Sequence, residues 1–481
     1  MTESICSLKS NPMDYEAPIC GSEIPEIQPA ASLPVTFSAA AAERLERWAN
    51  PNSILTRDLE RNSALLARQA FPTPERESLV WDRSPMQYSL LSLLPVACSS
   101  HEPLLGTESG SGGDGGHGPT DGGTSTPVDR PPTFTGQDLH AQSPCGPSGI
   151  ITDLDPGLGV CANYGPGGEH HLFRWNPHAP GSAESIVTLP YAPDQLLETA
   201  TGRVYISTHE NPGLAWVEPD QAIEGHIPFP STLNLSGMTS SGRSVTSVTP
   251  TFSKGLVELD SQIFVATSNL DLAHQDFLPG TVLAYQAATE TFETLQTTGY
   301  NPTGVATVDG LLLVVSSGAL DKDGHATTPA TLDVFDPNSH VKLQSLNLGT
   351  NGAGLSGELS ISDDGSTLVL PTADNSGRLV VVDLDNLQVR EIDLHNDVLP
   401  SSRGIFLSSL QVSPDGHYAY VSNFNDGRQY VVDLAQGIVV GSPIPLDPNL
   451  EDNQGLGDGI LSGGKVFIGR GSQILGLNFQ H

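Results

Sequence analysis

The stretch Ser409-Leu-Gln-Val-Ser-Pro-Asp-Gly-His-Tyr-Ala-Tyr-Val-Ser-Asn423, followed after a polar loop by Gln429-Tyr-Val-Val-Asp433, decides the fold. Its β-branched and aromatic runs predict three strands. Asp415-Gly416 supplies a tight turn between the first two, because glycine tolerates a positive φ and aspartate bonds to nearby backbone. The segment therefore predicts a strand, a turn, a strand, a loop and a strand, in that order.

The same order recurs along the chain at intervals of roughly 50 residues. The preceding copy begins at Glu358, turns at Asp364-Gly365 and continues as Arg378-Leu-Val-Val-Val-Asp383. The first strands of the successive copies are expected near Ile150, Leu196, Leu256, Val305, Leu359, Leu410 and Ile460. Seven such units of about four strands predict an all-β, seven-bladed β-propeller with four-stranded antiparallel blades. The last unit lacks an outer strand, which Thr133–Leu139 would supply to close the ring.

The composition agrees with an all-β protein that has many tight connections. The chain has 50 Gly, 38 Pro and only 16% charged residues, and turn formers are needed at every hairpin. Its net charge of −34 repels nucleic acid and anionic membrane, so no nucleic-acid partner is expected, and it favours cations or basic partners. The simpler interpretation of this charge is a well-solvated surface on an exported or salt-adapted protein.

Residues 1–85 differ from the rest and form an N-terminal extension that we expect to be largely disordered or weakly helical. Helical stretches are predicted from Ser38 to Arg47 and from Ser53 to Ala70, and neither has an obvious packing partner. No apolar run reaches the length of about 18 residues that a membrane-spanning helix needs. A native start near Val80 or Met86 would leave the extension out of the protein.

Residues 86–98 resemble a bacterial lipoprotein signal. The apolar run Met86-Gln-Tyr-Ser-Leu-Leu-Ser-Leu-Leu-Pro-Val-Ala-Cys98 ends in a small residue and a cysteine, and a Gly/Ser/Pro-rich linker follows over residues 99–135. The resemblance implies a lipidated Cys98 and an exported, membrane-anchored protein on the periplasmic side or cell surface. Pro95, and Arg83 as the single preceding positive charge, depart from the usual pattern. The alternative is that Leu90–Ala97 is a buried core segment.

Two further cysteines stand near the start of the globular part, which we assign to residues 136–481. Cys145 and Cys161 form an even pair in an exported chain, and this predicts a disulfide that closes a small loop. Two separately buried thiols are the alternative.

A family resemblance covers roughly residues 190–480. Ser413-Pro-Asp-Gly416, Tyr420-Val-Ser-Asn423 and Val431-Val-Asp433 resemble the YVTN-type bacterial β-propeller repeat. The motifs specify turns and strands, and the family includes binding, scaffold and enzyme members. The resemblance therefore implies the fold and leaves the function open.

The loops between second and third strands should share one face of the propeller, which we call the rim. They carry polar side chains in five blades: His209, Glu210, Asn269, Asp271, His274, Asp276, Asp321, Asp323, Asp374, Asn375, Asn423 and Asp426. Converging oxygen ligands of this kind could hold Ca²⁺. Asn and Asp also cap exposed loop backbone, and this is the simpler explanation. Near the central channel, Glu358 and Asp458 precede first strands and Arg403 is a nearby cation.

The sequence contains no Gly-x-Ser-x-Gly elbow, no His-Glu-x-x-His motif and no phosphate-binding loop. We therefore predict a non-enzymatic, monomeric, lipid-anchored binding or scaffold module of the cell envelope, which holds an envelope protein, a glycan or a small ligand on the rim. The alternative is a Ca²⁺-dependent, lactonase-like hydrolase with its site on the same rim.

Overall fold

The computed structural model describes residues 131–144, 146–151, 157–162, 169–208, 211–221, 223–321, 324–355, 359–372, 377–395, 405–423, 425–446, 456–462, 464–470 and 472–480. The regular elements in these ranges are strands, and none of the described residues belongs to a helix that could cross a bilayer. The N-terminal extension, the lipoprotein-like segment with Cys98, and Cys145 lie outside the described residues.

Among the described residues, the blades are seven sheets of four antiparallel strands, one of which has a short parallel strand added, and the first described strand belongs to the last blade. This strand is β1 (Thr133–Gln142). Blade 1 contains β2 (Gly146–Ile151), β3 (Gly157–Ala162), β4 (His170–Trp175) and β6 (Glu184–Leu189), with the short β5 (Gly181–Ser182) before its last strand. Blade 2 contains β7 (Pro193–Glu198), β8 (Val204–Thr208), β9 (Gly213–Glu218) and β10 (Ile223–Pro228).

Blade 3 follows two short strands, β11 (Gly237–Met238) and β12 (Ser244–Val245). It contains β13 (Ser253–Leu259), β14 (Gln262–Thr267), β17 (Thr281–Gln286) and β18 (Thr291–Gln296), with the short hairpin β15 (Leu270–Asp271) and β16 (Asp276–Phe277) inside it. Blade 4 contains β19 (Pro302–Val308), β20 (Leu311–Ser316), β21 (Ala330–Phe335) and β22 (Lys342–Gly349).

The remaining blades follow the same order. Blade 5 contains β23 (Ser360–Ile361), β24 (Thr367–Pro371), β25 (Arg378–Asp383) and β26 (Gln388–Asp393). Blade 6 contains β27 (Leu407–Val412), β28 (Tyr418–Asn423), β29 (Arg428–Asp433) and β30 (Ile438–Pro445). Blade 7 contains β31 (Leu456–Ser462), β32 (Lys465–Arg470) and β33 (Gln473–Gln480) together with β1. The predicted seven-bladed propeller with four-stranded blades is confirmed.

The ring is closed by pairing of the two ends of the propeller. Strand β1 runs antiparallel to β33 from Thr133 opposite Gln480 to Gln142 opposite Gln473, so the predicted closing strand supplies the fourth strand of blade 7. The far end of β1 also pairs in parallel with β5 of blade 1. Closure in this way leaves no open sheet edge between the first and last blades.

The Asp-Gly turns hold their hairpins with one repeated network. In blade 6 the Ser413 hydroxyl donates to Asp415 and accepts from the Tyr418 N–H, and the Gly416 N–H donates to the Ser413 carbonyl. Blade 5 repeats these bonds at Ser362, Asp364, Thr367 and Gly365. Gly365 and Gly416 have φ values of 68° and 72°, which other residues adopt with strain. The sequence repeat is therefore a repeat of hydrogen bonds.

The long unit between Leu196 and Leu256 contains an insertion rather than a miscounted blade. Residues 229–252 carry the hairpin of β11 and β12, whose turn bonds Thr239 N–H to the Arg243 carbonyl and Gly242 N–H to the Thr239 carbonyl. The first hairpin of blade 2 makes the same two bonds at Thr199–Arg203. The insertion thus repeats the turn of a blade without the rest of a blade.

The core consists of seven apolar layers, one between each pair of neighbouring blades. Alternate residues of the second and third strands face opposite neighbours, because side chains alternate along a strand. In blade 4, for example, Leu313, Leu332 and Val334 pack toward blade 5, while Leu312 and Val314 pack toward blade 3. This arrangement fixes every blade against two others and leaves the connecting loops on the two faces.

Candidate functional site

The rim loops lie against the connections that enter each blade, as predicted. In blade 6 the Asn423 side-chain oxygen accepts a hydrogen bond from the Phe406 N–H at 3.1 Å, and Phe406 belongs to the connection from blade 5. In blade 4 the Ser317 N–H donates to the carbonyl of Asn301, which lies between blades 3 and 4. The two sets of loops therefore form one continuous surface.

Blade 3 has the most extensive polar cluster on the described rim. Arg243 of the insertion donates to Asp271 Oδ2 at 2.8 Å, and His274 Nδ1 lies 2.7 Å from the same oxygen. Burial acts to raise the pKa of Asp271, but hydrogen bonds from Arg243 and His274 outweigh it, so the pKa lies below its ordinary value. The His274 side chain remains more than half exposed, at 59%. The Asp271 carboxylate therefore bonds to Arg243 and His274, while the His274 imidazole is exposed to solvent.

The Asp276 side chain is more buried than that of Asp271. Its oxygens accept from the Ser240 hydroxyl at 2.6 Å, the Ser241 hydroxyl at 2.6 Å and the Ser241 N–H at 3.0 Å. Burial acts to raise its pKa, but bonds from Ser240, Ser241 and Thr239 prevail and lower it to about 2. Arg243 lies 3.8 Å away. Asp276 thus stays ionised and joins the insertion to the rim.

Asn269 and Asn423 serve as buried anchors of their loops, and both are fully buried. The Asn269 amide donates to the Pro279 carbonyl and to the Thr281 hydroxyl, each at 2.8 Å. Besides the bond from Phe406, the Asn423 oxygen accepts from the Asn425 N–H at 3.2 Å. Both amides therefore perform the loop-capping role that the sequence left as the simpler explanation.

Asp426 lies beside Asn423 in blade 6, with a side chain that is only 8% exposed. It accepts a hydrogen bond from the Tyr430 hydroxyl and another from the Arg428 N–H at 2.9 Å. Burial raises the pKa of Asp426, and the bonds from Tyr430 and Arg428 offset this only in part. The pKa of Asp426 is therefore raised, whereas the pKa values of Asp271 and Asp276 are lowered.

Asp321 shapes an exposed turn in blade 4. Its carboxylate accepts from the His325 N–H at 2.9 Å, and its backbone N–H donates to the His325 carbonyl at 2.8 Å. The two side chains lie 3.6 Å apart and are 38% and 69% exposed. This pair faces water and is a surface feature of the rim.

Several predicted site residues lie outside the described residues: His209, Glu210, Asp323, Asp374, Asn375, Glu358 and Arg403. The backbone of Asp458 is described as part of β31, at a register shift between Leu456 and Gly459. Their roles at the rim and at the channel stay predictions.

The structure reveals a feature of the channel that the sequence did not indicate. Within the described part of the chain, six innermost strands contain one extra residue near their start, which forms a β-bulge opposite the second strand. The register shifts lie between Pro147 and Gly149, Pro193 and Leu196, Ser253 and Leu256, Pro302 and Gly304, Ser408 and Gln411, and Leu456 and Gly459. Bulges re-aim side chains and are frequent beside functional sites. Here they lie at the rim end of the central channel.

The bulges bring polar side chains of neighbouring innermost strands together. Lys254 Nζ lies 3.5 Å from Asp194 Oδ2, and each side chain is 18% exposed. The Thr303 hydroxyl donates to the carbonyl of Gly354, in the connection to blade 5, at 2.7 Å. The sequence does not show which side chains of a neighbouring blade a bulged residue meets, so it did not identify these contacts.

The described polar side chains of the rim bond to one another and to neighbouring loops. Among the described residues, no three His, Cys, Asp or Glu side chains are placed to hold one metal ion. Asp271 and Asp276 point to Arg243 and to the serines of the insertion rather than to a shared point on the axis. The site is therefore a rigid polar surface around a channel mouth.

No protein-family model matches the chain, and no curated protein matches it. Among solved structures, the chain is similar to the streptogramin B lyase structure, with 11% sequence identity and a TM-score of 0.48. The similarity covers 70% of this chain and 94% of the lyase chain. It is also similar to the RRP9 WD40 repeats (8% identity, 73% and 99% coverage, TM-score 0.48). A third similarity is to BamB from Moraxella catarrhalis (13% identity, 69% and 82% coverage, TM-score 0.40).

Proposed function

We propose that this chain is an exported, lipid-anchored β-propeller that acts as a binding module in the cell envelope and holds a basic protein partner on its rim. The proposal rests on the hydrogen bonds that the described rim side chains make. Asp271, Asp276, Asn269 and Asn423 are bonded to adjacent loops and make the surface rigid. A preformed surface loses little entropy on binding, which favours recognition.

Exposed apolar side chains on the same face favour a protein partner. Met238 lies in the insertion, and Leu272 lies in the hairpin of β15 and β16, which we call the rim hairpin. Both side chains are 51% exposed. Arg243 of the insertion donates a hydrogen bond to Asp271, which precedes Leu272. Met238 and Leu272 therefore belong to two segments that are joined by this bond. Apolar anchors within a polar surround are typical of protein interfaces.

The charge of the described surface favours a basic partner. Most described cations form ion pairs within the chain: Arg174 with Asp220, Arg203 with Glu218, Arg243 with Asp271, Lys254 with Asp194, Arg378 with Glu391, Arg428 with Asp426, and Lys465 with Asp138. With a net charge of −34, the chain retains a large excess of carboxylates. This field attracts basic proteins and accelerates their association.

Anchoring is supported by the sequence between Cys98 and the propeller. Residues 99–132 separate Cys98 from β1, and their Gly/Ser/Pro-rich composition is typical of a tether. Fatty-acid labelling in a bacterial host is expected to modify the wild-type chain and not the Cys98→Ser variant. Equal labelling of both proteins, or of neither, would contradict the anchor without affecting the binding proposal.

Site-specific photo-crosslinking tests the partner and its position. A photoreactive residue at Leu272 on the rim should yield discrete crosslinked protein species in the envelope. The matched control is the exposed Asp363, in a turn on the opposite face. The species should disappear with Met238→Asp and with raised salt. Equal crosslinking from both positions would contradict a rim site, and a bound calcium ion together with hydrolysis would favour the enzyme alternative.

A further inference from the structure

Asp333 interrupts the apolar layer between blades 3 and 4. It lies in the middle of the third strand, opposite Val314, and faces blade 3 together with Phe335. The equivalent positions of the other six blades hold Phe173, Ala215, Leu283, Val380, Tyr430 and Leu475. Five of these are apolar, and the sixth, Tyr430, donates its hydroxyl to Asp426. Of these seven equivalent positions, the one in blade 4 holds a carboxylate.

Three buried oxygen atoms at this place have no hydrogen-bond partner. They are Asp333 Oδ1, Thr331 Oγ1 and Ser316 Oγ. Thr331 and Asp333 share a face because they are two residues apart on one strand. Ser316 is the direct cross-strand partner of Thr331, and such pairs have β-carbons about 5 Å apart. Asp333 is fully buried, and its other oxygen accepts from the Thr298 N–H at 2.6 Å.

The corresponding hydroxyl pair in blade 3 shows how such residues satisfy one another. Thr267 and Thr281 occupy the positions of Ser316 and Thr331, and their hydroxyl oxygens lie 2.6 Å apart. The Thr281 hydroxyl also accepts from Asn269. In blade 4 the two hydroxyls do not bond to each other, although both are buried. Nearly all buried polar atoms in native proteins have a partner, and this favours an additional species beside these three oxygens.

Charge decides which species fits best. Among the residues that the structure describes, no cationic side chain pairs with Asp333, and Lys342 instead donates to the Thr298 hydroxyl at 2.7 Å. An isolated carboxylate in an apolar layer is strongly disfavoured, and a positive charge at Oδ1 would relieve this. One monovalent cation leaves the buried group neutral, whereas a divalent ion would leave an excess positive charge.

We propose that a monovalent metal cation of the Na⁺ or K⁺ class binds between blades 3 and 4, ligated by Asp333, Thr331 and Ser316. Carboxylate and hydroxyl oxygens are hard ligands suited to such ions. The ion would join the third strand of blade 4 to the neighbouring blade and stabilise the propeller. The proposal is independent of any ligand on the rim.

Thermal unfolding in three chloride salts at equal ionic strength tests the site. The salts are those of sodium, potassium and tetramethylammonium, because the last screens surface charge equally but is too large for a buried site. The wild-type Tm should be higher by about 2 °C or more in sodium or potassium, since an ion that binds only the folded state stabilises it. Equal Tm values in the three salts would overturn the proposal and leave an ordered water as the occupant.

Variants distinguish a Tm difference caused by ion binding from a general loss of stability caused by mutation. Asp333→Asn and the isosteric Thr331→Val should both lose the difference between salts. Asp336→Asn is the matched control, because Asp336 caps a turn of the same blade through the Asn338 N–H at 2.9 Å and should keep the difference. A difference that persists in folded Asp333→Asn protein would overturn the proposal. An anomalous peak at the three oxygens in crystals grown with rubidium would support it directly, and no peak there would count against it.

Discussion

Asp276 and Ser240 join two separate connections of the propeller through a 2.6 Å hydrogen bond from the Ser240 hydroxyl to the carboxylate. The same hydroxyl accepts from the Phe277 N–H at 3.1 Å, so it lies in a chain of bonds between the insertion and the rim hairpin. The Ser240 N–H in turn donates to the Phe277 carbonyl at 2.9 Å. The insertion and the rim of blade 3 therefore form one structural unit.

Replacing Asp276 by Asn should weaken this unit. The amide cannot accept all the bonds that the carboxylate receives from Ser240 and Ser241, so we expect a loss of about 1–3 kcal/mol in the free energy of unfolding at pH 7. Urea denaturation measures it, with Asp363→Asn as an exposed control that should change stability by less than about 0.5 kcal/mol. A loss of the same size in both variants would contradict the assignment.

The contribution of Asp276 should also depend on pH. Its folded pKa of about 2 lies below the ordinary value of 3.8, so the stabilisation is complete above about pH 4 and is lost as the pH falls toward 2. The difference in unfolding free energy between wild type and Asp276→Asn should therefore shrink between pH 4 and pH 2. A constant difference over this range would show that the ionised carboxylate is not the source.

His140 should make the closing strand sensitive to mild acid. It is buried on β1 against Trp175 and Phe467, Nε2 bonds to the Asn176 carbonyl at 2.9 Å, and Nδ1 is buried without a partner. Burial lowers its pKa below 6.5, an effect that the Asn176 carbonyl opposes in part, and the charge of Lys465 lowers it further. The unfolded chain therefore binds the proton first, and stability should fall as the pH drops below about 6.5.

Urea denaturation at pH 7.5 and pH 5 measures this effect. His140→Phe should lose less stability between these two pH values than wild type, while the exposed His178→Asn control should behave as wild type. Equal losses in wild type and His140→Phe would contradict the prediction.

Removing the closing strand should open the ring. A chain that begins at Ser143 lacks β1 and exposes the edge of β33, whose Phe479 packs against Phe134 at a centroid distance of 6.0 Å. We expect a loss comparable with the total stability of a domain, about 5–15 kcal/mol. Hydrogen exchange should accelerate first in β33, and unchanged protection there would contradict the closure.

The disulfide between Cys145 and Cys161 stays a prediction, because Cys145 lies outside the described residues. Peptide mapping after alkylation without reductant should find the two cysteines linked, and reduction should lower stability by about 3 kcal/mol. Alkylation of both cysteines in the unreduced protein would contradict it.

The fold could be predicted because the repeats specify local structure. Ser413, Asp415 and Gly416 form a turn whose bonds are all made within six residues, so the pattern is complete in the sequence. The closing strand was predictable from the missing fourth strand of the last unit. The insertion was not, because β11 and β12 are two residues each and leave no periodic pattern.

The site could be predicted only by its location. Asp271 and Asp276 were identified as rim residues, but their partners Arg243 and Ser240 come from the insertion, roughly 30 residues earlier, and spacing does not indicate the pairing. Asp333 lies in an ordinary strand pattern, Thr331-Leu-Asp-Val-Phe335, and only the alignment of seven blades shows that a core position is polar. Both depend on contacts distant in sequence.

The direction in which β1 enters the ring determines on which face of the propeller the preceding chain attaches. Gln142 lies at the rim end of blade 7, where the chain passes into blade 1, and Thr133 lies at the opposite end beside Gln480. A tether attached at Thr133 therefore leaves from the face that bears the Asp-Gly turns. The proposed anchor would therefore be attached on the face opposite the rim, and the chain that leads to it would leave the rim uncovered.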